Sequence, residues 1–147
     1  LPLAENAGPA DGEGTGLPRE RLRPWRILVV EDEPALRRLL MESLDEAGHQ
    51  VEAVASAEAA EVRLEGPVSW DLIVTDLSLP GCSGLDLARA ARAQRPGLPI
   101  LLVTAWGLEV NSEALAAHGV SAVLTKPFRR ESLYTALEQL QRDAGDR

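Results

Sequence analysis

The sequence predicts an α/β fold, a five-stranded parallel sheet in the order 2-1-3-4-5 with helices on both faces. Three observations lead there. Five short apolar runs, at 27–30, 51–55, 72–75, 100–103 and 120–124, are rich in Val, Ile or Leu and mostly do not alternate. Strands buried on both faces read this way. Segments with helical spacing separate the runs, so strand and helix alternate. Right-handed crossovers then restrict the topology to few windings, of which 2-1-3-4-5 is the best known at this size.

The helices follow in order. Leu36, Leu39, Leu40 and Leu44 share one helical face, and Gly48 stands where that helix would end. Ser56 is placed to cap a second helix carrying Ala60 and Leu64. Leu85, Ala88 and Arg92 belong to a third, ended by Pro96 and Gly97. Residues 108–118 make a weaker fourth, stopped by Gly119. Leu133, Leu137 and Leu140 give the last helix a clear apolar stripe.

Composition bounds the function. At 147 residues, 45% hydrophobic and 26% charged, the chain has the make-up of one ordinary globular domain. Such a chain buries a core without staples, and its one cysteine, Cys82, cannot form an internal disulfide. No apolar run approaches the roughly 18 residues that span a bilayer, and no signal-peptide pattern opens the chain. A net charge of −8 argues against non-specific nucleic-acid binding. The expectation is a cytoplasmic acidic domain with no nucleic-acid partner and no direct membrane contact. Residues 1–24, rich in Gly, Pro and Ala, read as a flexible linker; the domain proper is expected at 25–142, with a short tail at 143–147. The opening Leu1-Pro2-Leu3 lacks Met, which fits a piece of a longer protein.

In open α/β sheets ligands bind beyond the carboxyl ends of the strands. There the sequence places Glu31, Asp32, Glu33 and Pro34 after the first strand and Asp76 after the third. Thr104 follows the fourth and Lys126-Pro127 the fifth. Carboxylates crowded into one crevice raise one another's pKa unless a cation neutralises them. Oxygen donors without His or Cys favour a hard ion, Mg²⁺ where phosphate is involved. The expected ligands are Glu31, Asp32, Asp76 and a backbone carbonyl near Ser78. Asp76 is the candidate nucleophile, since carboxylates form aspartyl-phosphate intermediates. Lys126 can pair with Asp76 at rest and with phosphate afterwards, and the Thr104 hydroxyl can bond a phosphoryl oxygen and draw its loop inward. Each residue also has an ordinary alternative. Asp32 and Glu33 could cap a helix that opens with Pro34, Asp76 could be a turn residue, Thr104 a helix cap and Lys126 a solvated loop charge. Their joint position on one rim favours the site.

The motifs Ile27-Leu28-Val29-Val30-Glu31-Asp32-Glu33-Pro34 and Asp71-Leu72-Ile73-Val74-Thr75-Asp76-Leu77-Ser78-Leu79-Pro80-Gly81-Cys82-Ser83-Gly84 come with Leu102-Val103-Thr104-Ala105 and Thr125-Lys126-Pro127-Phe128. Together they resemble the CheY-like receiver domain of two-component response regulators and hybrid histidine kinases, over residues 25–141. The resemblance implies a flavodoxin-like fold, with Asp76 as phosphoacceptor, Glu31 and Asp32 as the acidic Mg²⁺ pair, Thr104 as switch hydroxyl and Lys126 as phosphate contact. It implies a histidine kinase or histidine phosphotransfer domain as donor, and catalysis limited to the domain's own phosphorylation and slow dephosphorylation. Leu1-Pro2-Leu3 is similar to the last strand of a histidine kinase ATP-binding domain. That implies the C-terminal receiver of a bacterial hybrid sensor histidine kinase, with its own upstream kinase core as a further partner. The alternatives are a phosphate-independent docking module and a stand-alone single-domain response regulator.

Three positions depart from the family pattern. Glu31 stands where Asp is commoner, and Val123 stands where an aromatic residue usually turns inward with the Thr. Ser78 and Trp106, each two residues past a site residue, are expected to influence phosphate lifetime. An aspartate-based phosphohydrolase would carry its nucleophile after the first strand. A flavin module would need a Gly- or Ser/Thr-rich phosphate loop where this chain is acidic.

Overall fold

The computed structural model describes residues 23–105 and 112–145. Its elements run β1 (Arg26–Val30), α1 (Pro34–Glu46), β2 (Gln50–Val54), α2 (Ala57–Glu65), β3 (Leu72–Asp76), β4 (Ser78–Leu79) and β5 (Cys82–Ser83), then α3 (Gly84–Gln94), β6 (Ile100–Ala105), α4 (Ser112–Ala117), β7 (Ala122–Lys126) and α5 (Arg130–Gly145). The main sheet is parallel and ordered β2-β1-β3-β6-β7, the expected winding once the β4-β5 hairpin is set aside.

Alternate residues of each central strand serve opposite cores. Ile27 and Val29 of β1, with Leu72 and Val74 of β3, pack with Leu40 and Leu44 of α1 and Leu133, Leu137 and Leu140 of α5. Leu28, Val30 and Ile73 face the other way, onto Ala57, Ala60 and Leu64 of α2 and Leu87, Ala88 and Ala91 of α3. Burying such a side chain stabilises by roughly 1.5–3 kcal/mol, and burial on both faces is why these runs do not alternate in sequence.

The helix ends follow local chemistry. Ser56 accepts the Ala59 N–H at 3.1 Å and caps α2, as expected. Gly48 takes φ +99° just past α1, where an L side chain would be strained.

Several expectations shift. The last strand is Ala122–Lys126, not 120–124, because Val120 N–H still bonds Leu115 O while Ser121 exchanges hydrogen bonds with Ile100. Asp76 and Lys126 are the final residues of their strands and Thr104 the penultimate one of β6, so the ladder continues into the site. Leu39 is 37% exposed, off the buried face that Leu40 and Leu44 form. The β4-β5 hairpin was not foreseen; two-residue strands carry no periodic signal. Helix α5 runs on through Gly145. The linker expected at 1–24, apart from its last two residues, lies outside the described residues, as do Trp106 and the first part of the fourth helix.

Candidate functional site

The parallel register delivers the site residues to one rim. Glu31 follows β1 directly, held by its N–H to Val54 O at 3.1 Å. Its side chain is almost wholly buried; Oε2 accepts the Glu33 N–H at 3.0 Å, while Oε1 has no hydrogen-bond partner. Asp76, also buried, receives the Ser78 N–H on Oδ1 at 3.3 Å and the Lys126 ammonium on Oδ2 at 3.1 Å. Lys126 Nζ lies 3.8 Å from Glu31 Oε1, an ion pair beyond hydrogen-bond length. Thr104 is buried one residue beyond Val103, the register partner of Asp76 in β6. The Lys126–Pro127 peptide is cis.

Glu31, Asp32 and Asp76 each offer an oxygen within 4.8 Å of the others'. The Glu31 carboxyl is raised from 4.5 to about 7, chiefly by burial; the Glu33 N–H and Lys126 pull it down, and Asp76 and Asp32 push it up. A buried carboxylate oxygen without a hydrogen bond, facing two further acids, is a defect in a fold that binds nothing. It is a ligand atom in one that holds a hard divalent cation. The donor set therefore fits Mg²⁺.

The ordinary alternatives fare differently. Glu33, not Asp32, occupies the N-cap of α1, and its side chain makes no capping bond. Asp76 does have the local bond of a turn residue, to Ser78 N–H, yet its second oxygen is engaged by a lysine fifty residues away in sequence. Ser78 itself is exposed at the start of β4. Val123 is 38% exposed on β7.

Arg37 was missed, and Gly84, the last residue of the second motif, was given no role. Arg37, in the first turns of α1, sends Nη1 back to Glu31 O at 2.9 Å and Asp32 O at 3.4 Å. Nothing in the sequence separates it from Arg38 beside it. Gly84 opens α3 against the backbone of Asp76. A Cβ there would overlap the Asp76 carbonyl oxygen and lie 3.0 Å from Asp76 C and Leu77 Cα. Glycine in the first turn of a helix, behind the Ser83 cap, was the available signal, since glycine ordinarily marks the other end.

The family model for the response regulator receiver domain matches residues 27–138. The chain is 47% identical over 118 residues to the two-component response regulator PhoP of Pseudomonas aeruginosa, covering 80% of this chain and 52% of that protein. It is 36% identical over 140 residues to the transcriptional regulatory protein TcrA of Mycobacterium tuberculosis, covering 95% of this chain and 55% of that protein. The chain thus spans about half the length of these curated relatives. Among solved structures, response regulator protein TrrA from Thermotoga maritima, in complex with Mg(2+)-BeF, superposes with a TM-score of 0.70 at 32% identity. The match covers 79% of this chain and 98% of that one.

Proposed function

The chain belongs to the response regulator receiver domain family, and from that premise we propose that Asp76 accepts a phosphoryl group from a phosphohistidine, with Mg²⁺ as counter-ion. The observation that carries this reading is Asp76 itself: a buried carboxylate held between a lysine and two further acids. One Asp76 oxygen attacks phosphorus, the P–N bond of the donor breaks, and the imidazole leaves as the acyl phosphate forms. Glu31, Asp32 and Asp76 would hold the metal, with the Ser78 carbonyl as a further ligand, and the bound ion would supply positive charge to offset that of the transferring group. Lys126 exchanges its bond to Asp76 for one to a phosphate oxygen. Thr104, one residue beyond the register partner of Asp76, supplies the hydroxyl that reports phosphorylation to the surface.

Residues 25–142 are the receiver in this reading, and its donor is a histidine kinase or histidine phosphotransfer domain. The relatives are a transcriptional regulatory protein and a two-component response regulator, which supports a response-regulator parent over the hybrid-kinase placement expected from Leu1-Pro2-Leu3. The charge of −8 disfavours direct nucleic-acid contact by this chain. Among the described residues no helix is long and apolar enough to cross a membrane.

Beryllofluoride, a phosphoryl mimic, tests the reading. The ¹⁹F spectrum should show a bound species that needs Mg²⁺ and disappears in Asp76→Asn. Absence of that signal from the folded wild type would favour the phosphate-independent docking module.

A further inference from the structure

The β1–α1 turn has to hold two acids at fixed positions while their charges repel. Glu31 is anchored at its own N–H by β2, and Glu33 N–H caps the Glu31 side chain. The carbonyls of the turn have a side-chain brace from α1, the half-buried Arg37 guanidinium, whose Nη1 reaches Glu31 O at 2.9 Å and Asp32 O at 3.4 Å. The same residue is fixed at its backbone, because Arg37 N–H donates to Glu33 O at 2.9 Å. Arg37 thus ties the helix to two consecutive carbonyls of the turn with one planar, charged group. Arg38, next along α1, is exposed and makes no hydrogen bond or ion pair to the turn among the described residues.

We propose that Arg37 is a positioning residue for the acidic turn, acting through the backbone of Glu31 and Asp32 to set where their carboxylates stand. This rests on the reading that the acidic cluster takes Mg²⁺. The charge of Arg37 and its bracing make opposite predictions. As a positive charge near the cluster it repels a divalent cation, so losing it should tighten binding. As a brace it pre-organises the ligands, so losing it should weaken binding.

The experiment is calorimetric titration of the chain with MgCl₂, comparing wild type with Arg37→Gln, Arg37→Lys and Arg38→Gln. Arg38→Gln sets the pure charge effect, a rise in affinity within about twofold. Arg37→Gln should lower affinity about fivefold, the scale of one hydrogen bond, and Arg37→Lys should lower it too although the charge stays. Backbone amide exchange at Asp32 and Glu33, measured without metal, should accelerate in both Arg37 variants and not in Arg38→Gln. Arg37→Gln behaving like Arg38→Gln in both measurements overturns the proposal. A folded wild type that binds no Mg²⁺ overturns the metal reading instead, and the exchange comparison then decides for or against the brace by itself.

Discussion

At the amino-terminal end of the parallel sheet, polar groups are spent on one another. Gln141 of α5 accepts Arg23 N–H at 2.9 Å and returns its own amide to Arg23 O at 2.8 Å. Trp25 N–H is taken by His49 Nδ1, Arg26 N–H by Asp71 Oδ2 and Ile100 N–H by Ser121 Oγ. At the carboxyl-terminal end, three carboxylates cluster, two of them share one lysine, and a buried oxygen of Glu31 is left without a hydrogen-bond partner. His49 Nε2 is the matching orphan at the amino-terminal end, but it is uncharged and costs far less. One end of the sheet is built for stability. The other holds strain that a cation and a phosphoryl group would relieve.

That contrast can be broken from either end. The largest effect is expected at Gly84, where a side chain must displace the Asp76 backbone or α3. Gly84→Ala should cost on the order of 3 kcal/mol in urea unfolding and slow phosphorylation by about tenfold or more. Gly97→Ala, with nothing within 4 Å of the added carbon, should do neither.

Next comes Glu31→Gln, which should stabilise the metal-free protein. The folded carboxyl titrates near 7, above its ordinary 4.5, so the folded state binds more protons between those values. Stability should therefore be full below about 4.5, fall as pH rises towards 7, and level off above it. Glu31→Gln should remove that fall, a gain on the order of 2 kcal/mol at pH 8, while weakening Mg²⁺ binding. Thermal melts with and without MgCl₂ across pH read both.

The amino-terminal end should give the opposite profile. Gln141→Ala should lose about 1 kcal/mol of stability and leave the phosphorylation rate within about twofold. A smaller effect belongs to His49, whose pKa burial lowers below 6.5. The unfolded chain then takes up protons first, so stability holds above about 6.5 and declines as pH falls through it. His49→Asn should flatten this decline, by under about 1 kcal/mol between pH 7 and 6. Loss of phosphorylation in either variant would mean the two ends are not independent.

The sheet order and the rim residues were legible because they rest on strong signals. Apolar runs such as Leu28-Val29-Val30 can only be central strands, and the Glu31, Asp32, Asp76, Thr104 and Lys126 pattern repeats a family motif at strand ends. The roles of Gly84 and Arg37 were not legible for a different reason. Their importance lies in which backbone atoms they approach, and a side-chain alphabet does not record that. The last strand was placed two residues early because Val120 looks like the start of a strand, whereas its N–H completes the turn after α4. Leu39 was assigned to the buried face because the four leucines fit one helical stripe, yet only part of that stripe meets the sheet.

The most direct test of the central claim is intact mass after incubation with acetyl phosphate and Mg²⁺, wild type beside Asp76→Asn. The wild type should gain one phosphoryl group, and the gain should vanish without Mg²⁺ and in the variant. A wild type that stays unmodified while folded by circular dichroism, or a variant that is modified equally, would contradict Asp76 as the phosphoacceptor.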